Sequence, residues 1–247
     1  MAKAPNTSTA VMARRRGKDD NEGLTEEEKL WKALDHFCTP PWGARAGLEH
    51  AKKLWPNATH MLEPAAGRGH IARPAVEYFD LVDGSDVHDY GANYVVSDWL
   101  NPRSWEGCEC DVVVTNPPFS IAEEFVLRGL ERASMGVALL LRLPFLEGGE
   151  RHAILDGPKA HLTQVVTFSE RLPMTLGGWD PEASSAAAYA WFFWSKVHAP
   201  MPPAWFPPGT RDRLWRKDDP QHFGKLKPLP LFDEDVLAPY MADFDVV

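Results

Sequence analysis

The sequence predicts a doubly wound, mostly parallel α/β domain with a seven-stranded sheet, and two observations carry that reading. Short apolar runs alternate with amphipathic stretches from about residue 60 to residue 197, the order that lays helices over both faces of a parallel sheet. One run, "GVALLLRLPFL" (136 to 146), is almost continuously apolar, as a strand buried on both faces would be. At 247 residues and 44% hydrophobic content, the chain can bury one sizeable core.

Two helices precede the first strand. In "LTEEEKLWKALDHF", Thr25 offers an N-cap, Glu28 follows three residues later, and Leu30, Trp31 and Leu34 recur at helical spacing, so a helix is expected to end near Phe37. The prolines of "CTPPW" force an extended turn, and "GARAGLEHAKKLW" has helical composition. "HMLEP" (60 to 64) is then a strand that runs into the Gly-rich turn "AAGRG". "HIARPAVEYF" can be the next helix, with Pro74 tolerated near its first turns.

"LVDGSD" (81 to 86), "YVVSDWL" (94 to 100) and "DVVVTNPPF" (111 to 119) follow as strands. "IAEEFVLRGLERAS" is a helix with Ile121, Phe125, Leu127 and Leu130 apolar, and "LTQVVTFSERL" and "AAAYAWFFWSKV" are the last two strands. The ends are read differently. Residues 1–23, with Arg14, Arg15, Arg16 and Lys18 followed by Asp19, Asp20 and Glu22, form a flexible mixed-charge tail, or else a basic arm. Residues 24–198 form the domain. Residues 199–247, opened by the Pro-rich "PMPPAWFPPG", are expected to be a meandering tail laid on the domain, or a short lid, without regular architecture.

A formal charge of −9 argues against a general polyanion binder, although a local basic face remains open. Three cysteines, Cys38, Cys108 and Cys110, suit a reducing compartment better than a disulfide framework, and the Cys-Glu-Cys pair lacks partners at metal-ligand spacing. No stretch approaches the roughly 20 apolar residues of a membrane span. A cytoplasmic protein without a metal or a membrane is the expectation.

Ligands of doubly wound domains sit beyond the carboxyl ends of the strands, and the unusual residues fall there. Glu63 ends a strand four residues before Gly67-Arg68-Gly69, where glycines allow a backbone to approach a ligand and the next helix presents free amides. Asp86 ends the next strand and is placed to hold two ribose hydroxyls, with Asp83 as the competing strand end. Asn116-Pro117-Pro118-Phe119 closes the strand that should neighbour the Gly-rich one.

Thr39-Pro40-Pro41, Leu62-Glu63-Pro64-Ala65-Ala66-Gly67-Arg68-Gly69, Asp86, Asp98 and Asn116-Pro117-Pro118-Phe119, in this order, resemble the motifs of class I S-adenosylmethionine-dependent DNA amino-methyltransferases. The likeness covers about residues 35 to 195. It implies a Rossmann-like methyltransferase fold, S-adenosyl-L-methionine as cofactor and the exocyclic amine of adenine in DNA as acceptor. Thr39 would meet the methionine carboxylate; Glu63, Pro64, Ala65, Gly67 and Gly69 would line the amino-acid moiety; Asp86 would hold the ribose. Asp98 would accept from the cofactor adenine, with Trp99 beside its ring, or else would cap the turn toward Pro102.

An exocyclic amine is a poor nucleophile because its lone pair is delocalised into the ring. In the resembling enzymes an Asn side-chain oxygen and the following Pro carbonyl accept its two hydrogens, localising that lone pair. Asn116 and Pro117 would do so here, with Pro118 stiffening the turn and Phe119 stacking on a base flipped out of its helix. Phe168 is a candidate second stacking residue or a core residue, and Arg171 meets a phosphate or an acidic neighbour.

The substrate is less defined. Resembling enzymes that read a DNA sequence carry a sizeable recognition domain after the catalytic one, and about fifty residues follow here, among them Asp233, Glu234, Asp235, Asp243 and Asp245. "GTRDRLWRKDDPQHFGKLK" holds six Lys or Arg with Trp215 and Phe223 interleaved, and reads either as a grip on a nucleic-acid strand or as a solvated loop. An RNA base amine, a protein glutamine, and a catalytically dead cofactor-binding protein stay open. The small stand-alone form resembles methyltransferases of phages, prophages and restriction-modification systems, which implies a bacterial cytoplasm.

Overall fold

The computed structural model describes residues 23–107, 109–185 and 187–224. The expected tail over residues 1–22, the acidic residues from 233 to 245 and Cys108 lie outside the described residues.

Ten strands occur in chain order: β1 (Phe37–Cys38), β2 (His60–Glu63), β3 (Leu81–Asp86), β4 (Val95–Val96), β5 (Cys110–Thr115), β6 (Ala133–Arg142), β7 (Gln164–Phe168), β8 (Thr175–Leu176), β9 (Tyr189–Ser195) and β10 (Ala204–Phe206). Eight of them make one sheet in the order β10-β7-β9-β6-β5-β2-β3-β4, while β1 and β8 pair as a separate antiparallel ribbon. Only β9 runs against its neighbours β6 and β7; the other pairings are parallel. The predicted doubly wound, mostly parallel α/β class is therefore the observed one, with eight strands in the sheet where seven were expected.

The helices are α1 (Glu26–Ala33), α2 (Pro41–Leu54), α3 (Ala72–Ala75), α4 (Ala122–Arg132), α5 (His152–Leu155), α6 (Thr210–Leu214) and α7 (Asp219–Phe223). The capping box of α1 forms as expected: Glu28 N–H donates to the Thr25 hydroxyl at 3.1 Å and Thr25 N–H to the Glu28 carboxylate at 2.9 Å. The helix stops at Ala33 rather than near Phe37, because Asp35 adopts a left-handed φ of 54° and turns the chain into β1. Helix α2 begins at Pro41, two residues before the expected start. Proline at a first helical position has no N–H to lose.

Strand alternation on β9 builds the core on both faces. Trp191 and Phe193 pack into one cluster with Trp42, Leu48 and Trp55, while Phe192 and Trp194 pack into the other with Leu139, Phe145 and Ile154. Gly47 lets α2 lie directly on the Trp191 indole, whose Nε1 donates to the Gly43 carbonyl at 3.0 Å. Each indole nitrogen on this strand is thus bonded, with Trp194 Nε1 donating to the Ile154 carbonyl at 2.8 Å.

The expected tail is corrected up to residue 224. Ala204–Phe206 adds an edge strand beside β7, with Phe206 opposite Phe168. It is only three residues long because prolines precede and follow it, and an edge strand is where such flanks are tolerated. Beyond it, Asp219 accepts two hydrogen bonds from Arg45 at 2.9 Å each, within the core. The helix expected over "HIARPAVEYF" is the single turn α3, and the "YVVSDWL" strand is reduced to two exposed edge residues.

Candidate functional site

One cavity lies at the carboxyl ends of β2, β3 and β5, where the strand order reverses between β2 and β5, the usual ligand crevice of this topology. About 770 Å³ of empty space lies within it and at its mouth, open solvent included. Thr39, Glu63, Pro64, Ala65, Gly67, Asp86, Asp98, Trp99, Asn116 and Pro118 all line it. Residues spread over eighty positions of sequence thus meet around one space, because the sheet brings successive strand ends together.

The Gly-rich turn forms one wall. Gly67 and Gly69 have φ of +51° and +83°, values that favour glycine, and a Cβ on Gly67 would enter the His36 ring. The turn is tied to β3, since Gly67 N–H donates to Asp86 Oδ2 at 2.8 Å and Ala66 N–H to the Ser85 carbonyl at 2.8 Å. Asp86 also accepts from His88 N–H at 3.1 Å. Burial raises its pKa above the ordinary carboxylate value, and these amide bonds pull the other way. β3 runs on to Asp86, so this residue ends the strand. Asp83 sits within it, bound to His60 Nε2 at 2.8 Å.

Glu63 is 2% exposed and accepts the Ala72 N–H at 2.6 Å. Desolvation raises its pKa well above the ordinary value, and the charge of Asp86 adds to that. Burial thus favours the neutral form of this carboxyl, and a cation beside it would favour the ionised one. Trp99 is buried against Phe125, and its Nε1 has no partner among the described residues. Asp98 is exposed and accepts from Leu100 N–H at 2.9 Å, so the turn-capping bond weighed for it does form.

Asn116 follows β5 directly. Its Nδ2 donates to the Phe37 carbonyl at 2.7 Å, and its Oδ1 is buried with no partner among the described residues. A carbonyl only accepts, so the amide must turn its nitrogen toward Phe37, which leaves the oxygen as a free acceptor. Pro117 is buried and Pro118 introduces the 3-10 turn Phe119–Ile121 that leads into α4. Phe119 lines an adjoining groove instead of the main cavity, with its ring 6.0 Å from Tyr189 and the Arg142 guanidinium 4.6 Å above it.

Phe168 is not brought to this cavity. It packs on Trp42 at 5.5 Å and Phe206 at 4.7 Å, as a core residue would, and lines a separate cleft with the exposed Arg171. The described part of the basic, aromatic segment, residues 209–224, is packed onto the domain. Phe223 is buried, Trp215 packs 4.8 Å from Trp179, and Arg213 and Arg216 are bound to Glu49 and Glu77. Those aromatics are spent on holding the segment to the domain.

Three cavity residues had no place in the sequence reading: His36, His70 and Tyr90. His36 stacks on Tyr90 with centroids 4.0 Å apart, and burial, with Arg68 and His88 nearby, lowers its pKa to about 4. His70 bonds the Phe223 carbonyl at 3.0 Å and is lowered by burial to about 3. Each stands within four residues of a motif residue, at Thr39, Gly69 and Asp86, but nothing in the residue types marks them. Among the described residues no cluster of three or more His, Cys, Asp or Glu could hold a metal ion, and no helix is long and apolar enough to cross a membrane.

No protein-family model matches the sequence, and no curated protein matches it. Solved structures do. A Pyrococcus horikoshii protein provisionally named an RNA methyltransferase superposes with a TM-score of 0.51 at 18% identity, over 68% of this chain and 90% of that one. A type I restriction-modification methyltransferase subunit from Streptococcus thermophilus gives 0.48 at 15% identity, over 66% of this chain and 45% of that one. Magnesium protoporphyrin IX methyltransferase from Synechocystis PCC 6803, solved with S-adenosylmethionine, gives 0.43 at 12% identity, over 80% of this chain and the whole of that one. With the strand order above, the chain has the Rossmann-like fold of the class I methyltransferases.

Proposed function

We propose that this protein transfers a methyl group from S-adenosylmethionine to the exocyclic amine of adenine in DNA. The observation that carries the reading is Asn116: its amide is oriented by the Phe37 carbonyl, and its Oδ1 is a buried acceptor without a partner in the same cavity as Glu63, Asp86 and Trp99. A buried acceptor left unpaired costs about 1–3 kcal/mol, which a bound N–H donor would recover.

The cavity suits the cofactor. Gly67 and Gly69 supply the positive φ values of the turn, Asp86 ends β3 where ribose hydroxyls could be held, and Glu63 is a buried carboxyl whose ionised form a cationic amino group would favour. Thr39, Pro64, Ala65, Asp98 and Trp99 line the same cavity, the first three proposed for the amino-acid moiety of the cofactor and the last two for its adenine. Bound S-adenosylmethionine would supply an electrophilic methyl group. Asn116 Oδ1 and the Pro117 carbonyl would accept hydrogen bonds from the amine and localise its lone pair for attack on the methyl carbon; S-adenosylhomocysteine leaves and the surplus proton passes to water, with no strong base required. Pro118 fixes the turn, and Phe119, which lines the adjoining groove, would meet the flipped base at the border of the two. Because a paired base cannot reach this cavity, the nucleotide must be flipped out.

The acceptor follows from the resemblance of Asn116-Pro117-Pro118-Phe119 to DNA amino-methyltransferases. The Pyrococcus protein's name makes an RNA base amine the second reading. The deciding experiment incubates the full chain with methyl-labelled S-adenosylmethionine and unmethylated DNA, RNA or protein extract, followed by nucleoside and amino-acid analysis. Label in N6-methyladenine of DNA is expected; label in RNA or glutamine moves the acceptor. No label, with calorimetry still showing cofactor binding, leaves a catalytically dead binding protein.

A further inference from the structure

Phe119 is the part of the Asn116–Phe119 turn that faces a groove beside the cavity, and a cation sits on its ring. Arg142 closes β6 and is the direct cross-strand partner of Tyr189 on β9, so the two side chains leave the sheet on one side. Between them they hold Phe119, the guanidinium at 4.6 Å and the Tyr189 ring at 6.0 Å. The groove is completed by Leu141, Pro144, Phe145 and Arg151.

The two arginines of this groove are in different states. Arg151 lies 4.7 Å over Phe145 but is bound to Glu123 at 3.3 Å, and donates to the Pro144 and Glu147 carbonyls at 3.4 and 3.0 Å. Arg142 is exposed, and among the described residues it has the ring contact and no hydrogen bond or ion pair. Among the described residues this guanidinium beside the reacting turn has no carboxylate partner. A ring contact leaves the N–H groups of arginine free to donate, and their fork matches a phosphate.

We propose that Arg142 is a positioning residue that binds a backbone phosphate next to the target nucleotide while keeping its contact with Phe119. This rests on the methyl-transfer reading above and narrows its acceptor to an amine carried on a polynucleotide strand. A neutral protein amide would leave the guanidinium unmatched.

The test measures binding, so that it stands apart from whether methyl transfer occurs. The full chain and its Arg142→Ala, Arg142→Lys and Lys53→Ala variants are titrated against labelled mixed-sequence single-stranded DNA and RNA at several salt concentrations. Lys53 is exposed near the end of α2, where Trp55 lies against Gly136 at the start of β6, the far end of that strand from Arg142, and controls for simple loss of charge. Arg142→Ala is expected to weaken binding by roughly fivefold or more and to lower the slope of log affinity against log salt by about 0.7, one phosphate's share on a single strand. Arg142→Lys should keep the slope and lose part of the affinity, Lys53→Ala should match wild type, and thermal unfolding and S-adenosylmethionine affinity should not move. The tighter of the DNA and RNA arms identifies the strand. The proposal is overturned if Arg142→Ala keeps the wild-type slope, if Lys53→Ala loses as much, or if wild type binds neither strand and labels protein instead. Absence of methyl transfer with the slope change intact would overturn the enzymatic reading and leave this contact standing.

Discussion

Asn116 and Phe37, 79 positions apart, are joined by a 2.7 Å hydrogen bond from the side-chain amide to the backbone carbonyl. The bond determines which end of the amide points away from β1, and so makes the unpaired Oδ1 an acceptor. Asn116→Ala is therefore expected to abolish methyl transfer while leaving cofactor affinity within several-fold by calorimetry. Asn116→Asp should fail differently. A carboxylate facing the Phe37 carbonyl loses its donor, and the fold should be destabilised by about 1–3 kcal/mol in chemical denaturation. A fully active Asn116→Ala variant would remove this residue from catalysis.

Asp86 carries two tasks that one substitution can separate. It holds the Gly67 and His88 amides, and it stands where ribose hydroxyls would be bound. Asp86→Ala should weaken S-adenosylmethionine binding by roughly 1–3 kcal/mol, the loss of a polar contact. Asp86→Asn, which still accepts from an amide, should retain more of the stability than of the affinity. Unchanged affinity in both variants would exclude Asp86 from the cofactor site.

Glu63 gives a pH dependence whose sign is fixed by its raised pKa. Below the ordinary carboxylate value both folded and unfolded chains are protonated there. Above it the unfolded chain releases a proton that the folded one keeps, so this group's contribution to stability falls as pH rises toward the folded value. Glu63→Gln should therefore raise the melting temperature of the ligand-free protein at neutral pH and leave it little changed in acid. The same variant should weaken cofactor binding, because the neutral amide cannot become the anion that an amino group requires.

His36 and His70 act in the opposite direction. Their folded values, about 4 and about 3, lie below the ordinary 6.5 because burial disfavours the charged ring. Their contribution is complete above pH 6.5 and is lost as pH falls toward the folded values, at about 1.4 kcal/mol per pH unit for each ring. His36→Phe, which can keep the stack on Tyr90, should make the acid limb of the stability curve shallower by one such slope. Denaturation midpoints measured across that range would test it, and an unchanged limb would refute the buried-neutral assignment.

The segment after residue 199 can be tested as part of the domain. Arg45 and Asp219 have side chains 5% and 2% exposed and share two hydrogen bonds, so Asp219→Ala leaves a buried guanidinium without its main partner. A loss of about 3–5 kcal/mol is expected in urea denaturation. A loss below about 1 kcal/mol would mean that the segment is only laid on the surface.

What the sequence determined by itself was local or periodic. The alternation of strands and helices, the Thr25–Glu28 capping box and the glycines at 67 and 69 are set by spacing and backbone freedom, which neighbours in the chain dictate. Motif order likewise brought Glu63, Asp86, Asp98, Trp99 and Asn116 forward as one group before any contact was visible. Contacts between distant segments were not legible, because nothing in "DHFC" says that its backbone will meet Asn116, or that His36 will stack on Tyr90 over Gly67. The sheet alone makes those neighbours. The same reason covers the short elements after residue 199: the prolines there resemble a linker, but Phe206 pairs opposite Phe168 and Asp219 meets Arg45 only once β7 and α2 exist to receive them. Phe168 shows the converse, a plausible stacking residue by position that the packing of Trp42 and Phe206 turned into core.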